Sequence, residues 1–303
     1  MTDPSPLSFQ PASTAYLSRR TGLLAAATAF LSGCSGAQIL DRLVPSDNYL
    51  AETGLAYGSD ARQLLDVYRP NPSVASAVAA PLPMVVFFYG GNWTRGSRSD
   101  YRFVGEALAS AGAVVVVADY RLSPQVRYPE FVRDGALAMR WAFDNAPRLG
   151  VDSARVFVMG HSAGGHIAGM LALDPQWLDE QRAAPKNLAG WIGLAGAYDF
   201  LPIVDPEVKL AFNWPDTAPD SQPLFHASAG APRSLLLLAE SDSIVNPERN
   251  TYALAARLEL LGVDVTRHAY PRANHVTLMA AMAKPLQWIA PVRADVLAFM
   301  GLA

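Results

Sequence analysis

Cysteine is almost missing from this 303-residue chain. Cys34 stands alone, so no disulfide forms within the chain. Charge is scarce too: 17% of residues are charged and 51% are apolar, which excludes global disorder and favours a large buried core. The net charge is −3, so the basic footprint of a nucleic-acid binder is absent. The apolar run from Leu23 to Leu31 falls well short of the about 20 residues that an ordinary transmembrane helix needs. The length suits one large domain or two small ones.

The surroundings of the lone cysteine are informative. Ser18-Arg19-Arg20-Thr21-Gly22-Leu23-Leu24 places paired arginines before the apolar run, the order of a signal peptide's charged and apolar regions. The run closes on Leu31-Ser32-Gly33-Cys34, which resembles the lipobox of bacterial lipoproteins. The arginine pair resembles a twin-arginine export signal, with Gly22 in place of the usual Phe. The expectation is a signal peptide over 1–33, a lipid on Cys34 and a tether over 34–47. A catalytic unit then occupies 48–303. Such a chain is exported and anchored to a bacterial membrane rather than spanning it. A stray cysteine in an ordinary cleaved leader is the competing reading.

Beyond the tether, apolar runs alternate with helical patterns, which predicts an α/β fold with a mostly parallel sheet flanked by helices. Strands are expected at Leu64–Tyr68, Met84–Phe88, Val114–Ala118, Val156–Met159, Trp191–Leu194, Leu235–Leu238 and Val263–Tyr270. Helices are expected at Tyr101–Ala111, Phe131–Asn145, His166–Leu173, Tyr252–Leu261 and Ala290–Met300. Residues 70–83 read as a loop. The Pro-, Asp- and aromatic-rich segment Asp199–Ala231 breaks the rhythm and reads as a small insertion over the active site. Its aromatics Phe200, Phe212, Trp214 and Phe225 either line that site or pack the insertion onto the core.

Gly160-His161-Ser162-Ala163-Gly164-Gly165 stands between a strand pattern and a helix pattern. Gly-x-Ser-x-Gly in that setting is a nucleophile elbow, a turn so tight that Gly160 and Gly164, two residues either side of the serine, have no room for large side chains. A serine hydroxyl needs a base, an acid to orient the base, and donors for the oxyanion. In the fold that uses this elbow the chain order is serine, acid, histidine.

Of the five histidines, His161 and His166 flank the serine too closely to reach its hydroxyl. His226 precedes the candidate acid, and His268 sits inside a strand. His275, expected in a loop after the last strand, is the base. Asp242 and Glu240 both follow the Leu235–Leu238 strand. Asp242 lies in the loop proper and is preferred, its other reading being a turn or cap residue. The oxyanion donors are the N–H of Ala163 and those of Gly91 and Asn92, in Tyr89-Gly90-Gly91-Asn92-Trp93 after the Met84–Phe88 strand; Gly90 also qualifies.

From about residue 48 onward the chain resembles the α/β-hydrolase esterases of the hormone-sensitive-lipase-like and bacterial carboxylesterase groups. The resemblance rests on residues 160–165 and 89–93, on Asp119-Tyr120-Arg121 with Pro129 and Asp134, and on Asn274-His275. It implies hydrolysis of a small to medium carboxylic ester through an acyl-enzyme, with neither cofactor nor metal. The Gly-Gly-x-Trp form also resembles arylformamidases and prenylcysteine methylesterases, so amide hydrolysis on the same triad is the alternative. A non-catalytic, lipid-anchored binding protein on the same scaffold is a more distant one. Tyr89 departs from the family's usual His. Asp119, Arg121 and Asp134 are expected to brace loops rather than to react.

Overall fold

A computed structural model describes residues 44–45, 48–77, 81–183 and 187–302. The expected signal segment, Cys34 and most of the tether lie outside the described residues.

Eight strands form one sheet: β1 (Tyr49–Ala56), β2 (Leu64–Pro70), β3 (Leu82–Phe88), β4 (Val114–Ala118), β5 (Val151–His161), β6 (Gly190–Leu194), β7 (Ser234–Ala239) and β8 (Val265–Tyr270). Their order is β1-β2-β4-β3-β5-β6-β7-β8. Strands β1, β2 and β4 pair antiparallel, and from β4 to β8 every pairing is parallel. The helices are α1 (Pro72–Ala77), α2 (Arg102–Ala109), α3 (Glu130–Asn145), α4 (Ala163–Leu173), α5 (Pro175–Glu180), α6 (Pro206–Ala211), α7 (Ala253–Leu260), α8 (His275–Ala280) and α9 (Val292–Phe299).

The central strands are apolar along their whole length because both faces are covered. Every residue of β3, β4, β6 and β7 is buried, as parallel strands beneath crossover helices require. Helix α4 is buried on all sides, which its small and apolar residues permit. Strand β8 forms the edge and exposes Thr266, Arg267 and His268, polar side chains that discourage further pairing. That edge position also keeps His268 out of the interior.

Three expectations are corrected, and two elements appear that were not expected. The loop at 70–83 contains α1. Strand β5 is longer than its apolar run and extends back to Val151. Strand β1 and helix α5 had no clear sequence pattern, being mostly exposed and a single capped turn. His275 is not in a loop but opens α8. Asn274 caps that helix, its Oδ1 accepting from the N–H groups of Val276 and Thr277 at 3.0 and 2.9 Å. Thr277 Oγ1 accepts in return from the Asn274 N–H at 2.8 Å. Thr stands where the usual capping-box signature has Glu or Gln, which hides the signal.

The segment between β6 and β7 holds α6, capped by Asp205, and two tight turns at Pro219–Ser221 and Pro223–His226. Phe200 and Phe212 pack on Trp93, with ring centroids 5.5 and 4.7 Å away. Phe212 is buried, whereas Phe225 is 65% exposed. Packing therefore accounts for Phe212 and not for Phe225.

Candidate active site

Strands β3 and β5 are parallel neighbours, with Phe88 opposite Gly160. The chain winds from β3 to β4 on one side and reaches β5 on the other. Such a reversal leaves a crevice at the carboxyl ends of the strands, where ligands bind in open α/β sheets. The turn after β3 and the elbow after β5 therefore lie side by side.

Ser162 occupies the elbow with φ 55° and ψ −119°. Positive φ at a non-glycine residue stores on the order of 1–3 kcal/mol and persists only where the surroundings enforce it. Here the main chain is tied at both ends. The Ser162 N–H donates to the carbonyl of Leu194 at 3.0 Å, and its own carbonyl accepts from His166 N at 3.1 Å and Ala197 N at 3.4 Å. The flanking glycines are steric necessities. A Cβ on Gly160 would lie 2.0 Å from the Gly164 oxygen, and one on Gly164 would lie 2.0 Å from the Phe88 oxygen.

Asp242 and His275 meet although 33 residues separate them. His275 Nδ1 lies 2.7 Å from Asp242 Oδ2, and both side chains are buried. The other carboxylate oxygen, Oδ1, accepts from the N–H groups of Ile244 and Val245 at 2.8 and 2.9 Å. Asp242 thus fills both roles that were open for it, the turn with one oxygen and the histidine with the other. Burial pushes its carboxyl up, but the His275 hydrogen bond and charge and the two N–H groups outweigh that and hold it below the usual range. An ionised carboxylate only accepts, so His275 carries its hydrogen on Nδ1 and leaves Nε2 bare. Glu240 is exposed, and no contact joins it to His275.

His275 also touches the elbow. His161 Nε2 lies 3.1 Å from the His275 carbonyl oxygen, and the two ring centroids are 4.8 Å apart. Because His161 precedes Ser162 directly, this contact brings the start of α8 to the nucleophile. No sequence pattern announces a contact that spans 114 residues.

The turn at 90–93 abuts Ser162. A Cβ on Gly90 would lie 2.9 Å from Ser162 Cβ, so the chain can pass there only as glycine. Gly91, Asn92 and Trp93 follow with φ of 130°, 52° and 57°. The N–H groups of Thr94 and Arg95 both donate to the Gly91 carbonyl, at 3.0 and 3.1 Å, and close the turn. Trp93 is buried against Phe131, His166 and Phe212. Ala163 is the first residue of α4, so its N–H lacks an acceptor within the helix. The structure therefore brings Ser162, Ala163, Asp242, His275 and the 90–93 turn together at the carboxyl ends of the strands.

Tyr89 is braced from behind. Its hydroxyl donates to Asp119 Oδ1 at 2.6 Å and accepts from Arg62 at 2.8 Å. Asp119 also pairs with Arg98 at 2.5 Å. The phenol thus links the strand end to a buried carboxylate. Asp134 takes the Arg121 N–H at 2.8 Å, the Arg121 guanidinium, and Gln63 Nε2 at 2.8 Å. These carboxylates act as braces, as the family resemblance implied.

The model of one protein family, described as alpha/beta hydrolase fold, matches residues 85–279, a span that holds Ser162, Asp242, His275 and the 90–93 turn. The chain belongs to the alpha/beta hydrolase fold family. Among curated relatives, this chain is 30% identical over 219 residues to a Mycobacterium tuberculosis protein named Esterase LipC, covering 66% of this chain and 53% of that one. It is 26% identical over 246 residues to an Arabidopsis thaliana protein named probable isoprenylcysteine alpha-carbonyl methylesterase ICMEL1, covering 74% and 50% respectively. The chain thus spans about half the length of those two relatives. Among solved structures it resembles a hyperthermophilic esterase of Pyrobaculum calidifontis, with TM-score 0.68, 24% identity, and 92% and 94% of the two chains covered. A structure described as a C6-C4 SN3 inhibited esterase B from Lactobacillus rhamnosis gives TM-score 0.72 and 21% identity over 93% and 96% of the two chains. At those identities the likeness shows the fold.

Proposed function

We propose that the protein is a serine carboxylesterase acting on small to medium esters. The Asp242–His275 hydrogen bond carries the reading, because it fixes the tautomer that a general base requires. Relatives named as esterases support it.

Ser162 Oγ attacks the ester carbonyl carbon while His275 Nε2 takes its proton. The carbonyl oxygen gains charge and is met by the N–H groups of Ala163, Gly91 and Asn92. Asp242 stabilises the imidazolium without itself becoming protonated. His275 returns the proton to the leaving alcohol, and the acyl group remains on Ser162. Water then repeats the sequence and releases the acid.

The test is a hydrolysis panel of short and medium p-nitrophenyl esters beside N-formylkynurenine, with Ser162→Ala as control. Ester turnover that Ser162→Ala lowers by about 10⁴-fold or more supports the reading. Turnover confined to the formamide would reassign the substrate to an amide. Turnover unchanged in Ser162→Ala would sink the mechanism, and no turnover with no fluorophosphonate labelling would favour a binding protein. Export and a lipid anchor at Cys34 belong to the same proposal and are supported by the sequence around that residue. Cys34→Ser should release the protein from membranes, and continued membrane association would refute lipidation there.

A further inference from the structure

The base reaches the nucleophile from far across the sheet. It follows β8, and β6 and β7 lie between that strand and β5. Asp242, after β7, holds the imidazole from the middle of that span. Among the described hydrogen bonds of His275, the one to His161 is the one that runs to the strand bearing Ser162.

We propose that His161 is a positioning residue for the catalytic base: its Nε2–H clamps the His275 carbonyl and its ring backs the His275 ring. This inference rests on the serine-hydrolase reading above. A carbonyl oxygen only accepts, so the hydrogen of His161 sits on Nε2. Burial, and then the neighbouring His275, lower the His161 pKa to about 3. A neutral ring has a single N–H, and that one is spent on the clamp. Its Nδ1 is correspondingly buried without a hydrogen-bond partner.

The arrangement has two mechanical effects. Asp242 leaves the His275 ring a hinge about the Nδ1 contact, and the His161 ring, tilted 40° at 4.8 Å, occupies one side of that swing. His161 also shares a peptide bond with Ser162. A displacement of the elbow therefore carries the clamp with it, so base and nucleophile keep their spacing. His161 remains neutral while His275 gains a proton, so it does not compete for the proton being moved.

Two substitutions separate the parts. His161→Gln keeps an amide N–H near the Nε2 position, and His161→Phe keeps the ring and loses the donor. The expected result is a kcat about 10- to 100-fold lower in His161→Phe, with KM within about twofold of wild type. His161→Gln should recover most of the loss. A wild-type kcat in His161→Phe, or equal losses in both variants, would overturn the clamp. Histidine ¹⁵N spectra of the unaltered protein give a measurement independent of variant folding. They should show His161 protonated at Nε2; a hydrogen on Nδ1 would overturn the proposal. Fluorophosphonate labelling of wild type at Ser162, run in parallel, keeps the two readings apart. Absent labelling sinks the hydrolase reading and the clamp with it. Labelling together with an unimpaired His161→Phe sinks only the clamp.

Discussion

Gly164→Ala adds one methyl group to the elbow and should break it. The new Cβ would lie 2.0 Å from the Phe88 oxygen, 2.4 Å from the Phe88 carbonyl carbon and 2.6 Å from the Tyr89 oxygen. All three are main-chain atoms at the end of β3. That strand is hydrogen-bonded on both sides, to β4 and β5, so no side chain can swing away to make room. Ordinary carbon contacts lie near ~3.5 Å, so α4 or β3 must move by about 1 Å or more. Overpacking a core that can adjust costs about 1–3 kcal/mol, and a rigid backbone puts this case at or above the upper end. The better helix propensity of alanine offsets up to about 1 kcal/mol. A net loss of about 2 kcal/mol or more lowers Tm by roughly 4–8 °C in a chain of this size. Activity should fall too, because α4 begins beside Ser162 and β3 leads into the turn at 90–93. Gly230→Ala is the control, since a Cβ there meets nothing within 4 Å. Thermal melts and ester kinetics on both variants check the outcome. A Gly164→Ala protein with wild-type Tm and kcat would refute the steric account of the elbow.

Asp242→Asn should lower kcat about 10⁴-fold by disturbing the His275 tautomer. It should barely change Tm, because an asparagine oxygen still accepts from Ile244 and Val245; retained kcat would refute the role. His161 and His166 are both buried, which lowers their pKa values to about 3 and about 4. Unfolded, each takes a proton near its ordinary pKa of about 6.5, so the unfolded chain binds more protons as pH falls below that value. Stability is therefore full above about pH 6.5 and declines on acidification, by up to about 1.4 kcal/mol per pH unit for each histidine. The decline levels off below about pH 4 for one and about pH 3 for the other; urea midpoints that stay flat between about pH 7 and about pH 5 would contradict it. Asn250→Ala removes the buried acceptor of the Tyr198 and Asp199 N–H groups, at 2.6 and 2.9 Å. It should cost about 2–4 kcal/mol, read as a lower urea midpoint.

Much of this site was legible in the sequence because its parts are local. The elbow is one strand, one turn and one helix, and its glycines follow from contacts within a few residues and with the adjacent strand. Asp242 and His275 were singled out by chain order, since the fold fixes which strand ends they follow, and their side chains meet. The helix at His275 was missed because its cap uses Asn and Thr rather than the usual pair. The His161–His275 contact and the packing of Phe212 on Trp93 were hidden for a different reason. Both join segments more than a hundred residues apart, where periodicity carries no information. Asp242 looked like a choice between a turn and a triad only because a letter cannot show that a carboxylate has two oxygens to spend.

The main chain of Ser162 donates to one neighbouring strand's carbonyl and accepts from two N–H groups. Every backbone atom of the residue that forms hydrogen bonds is thereby engaged in holding the turn, and the hydroxyl is not. Frame and reagent are separable at this position. Cysteine, alanine or a covalently trapped serine could be installed without asking the fold to adjust. The chain is accordingly suited to snapshots along a reaction path, and to exchange of one nucleophile for another, with the same turn presenting each.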